Sequence, residues 1–291
     1  MSKRHTNTHK IVCWQITRKC NRQCIACLSH STPNVAHPNR NPEKVVHRLS
    51  ELGVEKISYS GGEPTIYPLF REALEIGNTL NMHQLLTTNG DTLEGLQEFP
   101  KWLDYLQYIK LSFRGTQKTH DQVMGTGHYD KLMSLANRLH ETGHIVGANY
   151  LLSKQSLSDV ENFLYHAITH NIQHILLLLY IPIGKSSVDS SLSLPENTSI
   201  GTLVSKKIIR LIHECNMDLK VHDYRHDDFV LVLNEIEHFM FAKSYGQSNF
   251  DIGSIWDATL ALPDHLERIP IRDALQKVWA HRLTTSGIYT L

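Results

Sequence analysis

The residues best equipped for chemistry are Cys20, Cys24 and Cys27, in the stretch Lys19-Cys-Asn-Arg-Gln-Cys-Ile-Ala-Cys27. Three thiols at CxxxCxxC spacing can bind metal as thiolates. A closed zinc site takes four ligands, and His30 is the nearest residue that could complete one. A cubane iron–sulfur cluster has four irons; three cysteines leave one iron without a protein ligand and open to a small molecule. Cys13 and Cys215 stand apart, on a predicted strand and helix, and read as buried small apolar residues.

A second feature is Gly61-Gly-Glu-Pro64. Two glycines after a strand let backbone approach a ligand closely. Glu63 adds a carboxylate suited to an ammonium group; the alternative is an ordinary βα turn with Glu63 as a helix N-terminal acid.

These residues need a scaffold, and the hydrophobic periodicity supplies one. Strands are expected at Ile11–Thr17, Lys56–Ser60, Gln84–Thr88, Tyr108–Phe113, Ile145–Leu152 and Ile175–Ile181. Helical patterns lie between them, at Pro42–Leu52, Leu69–Leu80, Tyr129–Thr142 and Leu157–His170, with a less regular helical piece over 91–105. Strand–helix alternation argues for a parallel sheet. The expected fold class is α/β: a partial, laterally open (β/α)6 TIM-like barrel over residues 1–185, with an α+β extension over 186–291 capping it and shaping the substrate site. That extension opens on a Ser-rich linker, 186–198. In such sheets ligands bind at the carboxyl ends of strands. The thiol loop, Gly61–Pro64, Thr87-Thr-Asn-Gly90, Ser112 and Pro182-Ile-Gly184 all fall there.

Composition narrows the classes. The chain has 291 residues, 41% of them hydrophobic, and 29 acidic groups balance 29 basic ones. That balance gives no electrostatic case for nucleic acid or an anionic membrane. No apolar run approaches a membrane span, and five cysteines, three of them clustered, do not read as a secreted disulfide framework. No signal peptide is expected, and a reducing cytoplasm is the natural setting.

CxxxCxxC after the first strand with GGEP after the second resembles the radical S-adenosylmethionine (SAM) superfamily, over about residues 9–185. The resemblance implies one [4Fe–4S] cluster on Cys20, Cys24 and Cys27, its unique iron chelated by SAM. Reductive cleavage then gives methionine and a 5′-deoxyadenosyl radical that takes hydrogen from a substrate. It also implies that Gly61, Gly62 and Glu63 hold the methionyl amine and that Ser112 contacts SAM. Ile181 backbone would lie near the adenine, and Asn149 would face SAM or substrate. Ala26, Thr88 and Asn89 join them as cofactor-side candidates. Many members carry an aromatic where Ala26 stands, and an acid where Arg114 stands. Arg114 is either a solvated cation or a carboxylate contact. With Lys185, Tyr224 and Arg225 it makes up the candidate substrate set; the alternative for the cluster His222–His226 is a solvated turn.

His120-Asp-Gln-Val-Met-Gly125 and Pro182-Ile-Gly-Lys185 resemble the branch holding molybdenum-cofactor cyclases and SPASM peptide-modifying enzymes. Only Cys215 follows Cys27, and one thiol cannot hold an auxiliary cluster. The Trp14–Asn21, Lys56–Pro64 and Leu231–Met240 stretches also resemble viperin, a nucleotide dehydratase. A small-molecule substrate is therefore expected, with nucleotide dehydration or peptide modification as alternatives, and a metal-binding module without catalysis as the alternative of another class. The expected partners are an electron donor such as flavodoxin or ferredoxin, with the chain a monomer or weak dimer.

Overall fold

The computed structural model describes residues 11–27, 29, 31–180, 190–194, 204–222, 231–233, 238–241, 251–258 and 260. Its spine is a run of parallel strands: β1 (Ile11–Thr17), β2 (Lys56–Gly61), β3 (His83–Thr88), β4 (Tyr108–Phe113), β5 (Val146–Leu152), β6 (His174–Leu179) and β7 (Asp218–His222). Each pairs with the next in sequence order. Beyond β1 lie β8 (Leu231–Leu233), parallel to it, then β9 (His238–Phe241) and β10 (Asp251–Ser254), both antiparallel to their neighbours. The sheet runs β10-β9-β8-β1-β2-β3-β4-β5-β6-β7 and does not close, since β7 and β10 are its two ends.

The helices are α1 (Pro42–Glu51), α2 (Phe70–Thr79), α3 (Asp91–Glu94), α4 (Gln117–Met124), α5 (His128–Glu141), α6 (Val160–Thr169) and α7 (Lys206–Glu214). Alternation along each strand decides which side faces them. In β4, Ile109, Leu111 and Phe113 are fully buried and join the main core. Tyr108, Lys110 and Ser112 point to the other face, the barrel interior. The helix side thus takes the apolar set and leaves the concave side polar.

Four expectations shift. The Gln117–Met124 segment is a helix of its own, α4, bounded by Gly125 at φ +97°. Residues from the extension lengthen the sheet at both edges, β7 beside β6 and β8 beside β1. Part of the Ser-rich linker is docked: Leu192 is buried with Ala26, Leu151 and Tyr180, and its carbonyl accepts from Lys154 N at 2.9 Å. Cys215 is exposed at the end of α7, where the helix turns its polar face outward.

Candidate active site

The loop that carries the thiols leaves β1 and is pinned at its base. Cys20 N donates to Thr32 O at 3.2 Å and Thr32 N donates to Arg18 O at 3.2 Å. Each sulfur then has a neighbour that orients it. Arg22 N donates to Cys20 Sγ at 3.4 Å, Ser31 N donates to Cys27 Sγ at 3.3 Å, and Cys24 Sγ lies 3.5 Å from Met124 Sδ. The thiols are not equivalent. Burial pushes Cys20 up to about 11. Burial acts on Cys27 too, but hydrogen bonds from Ser29 and Ser31 and the charge of Arg114 outweigh it and bring Cys27 below the ordinary thiol value.

Gly61 and Gly62 clasp this loop. Gly62 N donates to Thr17 O at 2.6 Å, and Glu63 N donates to Lys19 O at 3.0 Å. A Cβ on Gly61, at φ +117°, would lie 2.3 Å from Thr17 O; one on Gly62 would lie 2.0 Å from Lys19 O. Gly61 O accepts from Ser29 Oγ at 2.7 Å. The close approach that demands glycine is therefore to the chain's own cysteine loop. Both glycines also line the pocket above it.

Glu63 is placed differently from its neighbours. It is 1% exposed and caps a short 3-10 turn, Pro64–Ile66. Its Oε1 accepts from Thr65 Oγ1 and Thr88 Oγ1, each at 2.7 Å, and its Oε2 accepts from Asn89 N at 2.7 Å. Burial raises this carboxyl against those bonds. Glu63 ties the ends of β2 and β3 together and is not among the residues lining the pocket.

The opposite wall comes from β1, β4 and β5. Gln15, Ser112, Arg114 and Asn149 line the same pocket as the three cysteines, Thr88 and Asn89. Ser112 and Asn149 are register partners. Gln15 Oε1, Asn149 Oδ1 and Arg114 Nε are buried with no hydrogen-bond partner among the described residues. Buried polar atoms are costly unless satisfied, so these three mark places for a ligand: two acceptors and one guanidinium donor.

The radical SAM superfamily profile matches residues 14–166. The chain belongs to the radical SAM superfamily. Its members are enzymes that use a [4Fe–4S] cluster and SAM. The Fe-coproporphyrin III synthase of Methanosarcina barkeri (strain Fusaro / DSM 804) is 26% identical over 212 residues, 70% of this chain and 52% of that protein. An S-adenosylmethionine-dependent nucleotide dehydratase of Flammeovirga pacifica is 28% identical over 163 residues, 51% of this chain and 56% of that one. The chain thus spans about half the length of these curated relatives. In fold it is similar to Streptococcus suis SuiB bound to S-adenosylmethionine, with TM-score 0.63, 15% identity, and coverage of 92% of this chain and 68% of that one.

The pocket suits the radical SAM cofactors. No three His, Cys, Asp or Glu side chains among the described residues converge on a single ion. A cubane takes one thiolate per iron, which suits three thiols spaced along one loop. SAM offers an ammonium, hydroxyls and an amino group as donors for Gln15 and Asn149, and a carboxylate for Arg114.

A polar chain locks the radical SAM loop to β4. Arg22 Nε donates to Asp91 Oδ2 at 2.6 Å, and its second nitrogen pairs with Asp91 Oδ1. His128 Nε2 lies 3.1 Å from Asp91 Oδ1, and His120 Nε2 lies 2.8 Å from His128 Nδ1. Arg114 N donates to His120 Nδ1 at 3.0 Å. Burial pushes Asp91 up, but the bonds from His128 and Arg22 outweigh it and hold it below the usual carboxylate range.

Of the expected site residues, Cys20, Cys24, Ala26, Cys27, Gly61, Gly62, Thr88, Asn89, Ser112, Arg114 and Asn149 meet in one pocket. Ile181, Lys185, Tyr224 and Arg225 lie outside the described residues. Ala26 packs with Leu151, Tyr180 and Leu192. Gln15 and the Arg22–Asp91–His128–His120 chain join the site only through the tertiary structure, as does the contact of Met124 with Cys24. Gln15 carried a signal: a polar residue between Trp14 and Ile16 on a strand buried on both sides.

Proposed function

We propose that this chain uses a single [4Fe–4S] cluster on Cys20, Cys24 and Cys27 to cleave SAM reductively and take hydrogen from a small-molecule substrate, in a biosynthetic oxidation, dehydration or rearrangement. The observation that carries this reading is the pocket in which three thiols meet two unpartnered acceptors and the Arg114 guanidinium. When bound, the cluster and SAM supply the radical chemistry. The chain's own residues orient and enclose. Gly61 and Gly62 seat the cysteine loop, Gln15 and Asn149 receive ligand donors, and Arg114 faces an anionic group. Cys215 stands alone beyond the loop, which supports one cluster. The extension from 186 onward shapes the substrate side, a small electron donor of the flavodoxin or ferredoxin type reduces the cluster, and the setting is a reducing cytoplasm.

Nucleotide dehydration is the second reading, favoured by the Flammeovirga pacifica relative. The test is anaerobic reconstitution of the full chain with iron and sulfide, then dithionite and SAM. A brown protein should release 5′-deoxyadenosine and methionine, and Cys24→Ala should lose both colour and cleavage. Reconstituted wild type that forms no 5′-deoxyadenosine would overturn the proposal.

A further inference from the structure

We propose that Met124 is a cover for Cys24: its thioether keeps water and hydrogen-bond donors off that sulfur, and so holds the cluster's reduction potential low. The inference rests on the reading of Cys20, Cys24 and Cys27 as cluster ligands.

The three sulfurs are supplied unequally. Cys20 Sγ accepts from Arg22 N at 3.4 Å and from Asn89 Nδ2 at 3.8 Å. Cys27 Sγ accepts from Ser31 N at 3.3 Å and has Ser29 Oγ at 3.5 Å. Cys24 is half-buried, and its sulfur receives no N–H or O–H donor among the described residues. Its partner is Met124 Sδ, 3.5 Å away. A thioether has no proton to give. Met124 is 4% exposed and lines the pocket together with all three cysteines. It belongs to neither of the hydrophobic clusters formed by the described residues, so core packing does not account for its burial. It fills the space beside Cys24 that water would otherwise take.

The cover is held from two directions. Arg22 stands between Cys20 and Cys24 in the loop. Its guanidinium donates to the Met124 carbonyl, and to Asp91 Oδ2 at 2.6 Å. On the other side, α4 stops at Gly125, and the Asp121 carboxylate accepts from Gly127 N at 2.6 Å and from Tyr129 N at 2.9 Å. The cysteine loop and the end of α4 are therefore clamped together with the two sulfurs in contact. Hydrogen bonds to the sulfurs and exposure to solvent are two of the levers that set an iron–sulfur potential. Met124 withholds both at Cys24. A cluster kept low in this way is a stronger reductant, which is what reductive cleavage of SAM requires.

Three variants separate the cover from the sulfur atom itself. Met124→Leu keeps the apolar bulk, Met124→Ala opens space for water, and Met124→Gln keeps the length but brings an amide donor. In the metal-free full chain at fixed pH, iodoacetamide should alkylate Cys24 severalfold faster in Met124→Ala than in wild type, with Met124→Leu matching wild type. In the reconstituted full chain without SAM, the cluster midpoint from an EPR-monitored redox titration should move upward in Met124→Gln and Met124→Ala and stay level in Met124→Leu. The cover is overturned if Met124→Ala leaves the Cys24 rate unchanged, if Met124→Gln keeps the wild-type midpoint, or if Met124→Leu departs as far as Met124→Ala. Wild type that takes up no cluster refutes the proposed function, and the alkylation rates then decide the cover alone. Shifted midpoints in a protein that does not cleave SAM would uphold the cover and refute the function. SAM cleavage with unshifted variants would do the reverse.

Discussion

His120 and His128 stack with ring planes 11° apart and centroids 5.1 Å apart, joined by a 2.8 Å hydrogen bond. The partners on either side fix their protons. The Arg114 amide donates to His120 Nδ1, so His120 carries its proton on Nε2 and donates to His128 Nδ1. His128 then donates from Nε2 to Asp91, which holds Arg22 in the cysteine loop. His120 is neutral in this arrangement, and a second proton on it breaks the chain.

That gives a pH dependence with a definite sign. Burial, then His128 and nearby arginines, lower His120 to about 3 from an ordinary 6.5. Between those values the unfolded chain binds the proton and the folded chain does not. Stability therefore rises with pH across that window, is lost as pH falls from 6.5 towards 3, and is unaffected above it. The slope from this group is at most about 1.4 kcal/mol per pH unit. Urea denaturation of wild type and His120→Gln from pH 7 to pH 4 should show a flatter acid limb in the variant.

The thiols of the metal-free protein should react in order. Cys27, held by Ser29 and Ser31, should be alkylated by iodoacetamide at lower pH than Cys20, which burial pushes up to about 11. Ser29→Ala removes one hydrogen bond to Cys27, worth about 1 kcal/mol. Its Cys27 alkylation profile should move up by somewhat less than one pH unit, as read by mass spectrometry of the digest.

Gly62→Ala should be far more damaging than its size suggests. The added methyl would sit 2.0 Å from the Lys19 carbonyl oxygen, and backbone cannot yield as a side chain can. A loss of roughly 3 kcal/mol or more is expected, together with loss of iron binding. The urea midpoint and the iron content after reconstitution check it.

Gln15 is 2% exposed and its Oε1 has no partner among the described residues. Gln15→Leu should leave the ligand-free thermal midpoint level or raised, because an unsatisfied acceptor is gone. The same variant should show a smaller rise on adding SAM or substrate, corresponding to about tenfold weaker binding. A full ligand-induced rise would show that Gln15 faces neither.

Much of this was legible from local pattern. β1, Ile11–Thr17, and β4, Tyr108–Phe113, end where their alternation and flanking residues say they should. Helix α4 has no clear apolar pattern, because Gln117–Met124 is mostly polar and buries little beyond His120 and Met124. The Ser-rich stretch reads as a linker because its docking rests on isolated leucines, Leu192 and Leu194, with no periodic apolar pattern.

The sequence by itself determined the three-thiol loop, the glycine turn and the open β/α barrel, because thiol spacing, turn residues and strand period are short-range properties. Tertiary structure decided what each residue is used for. It made Glu63 a buried tie between β2 and β3, and spent the glycines on the cysteine loop as well as the pocket. It also brought Arg22 to Asp91, sixty-nine positions away, and set Ser112 beside Asn149 in the β4–β5 register. Those pairings depend on which strands the sheet sets side by side and on which face each side chain emerges. Spacing along the chain does not record either.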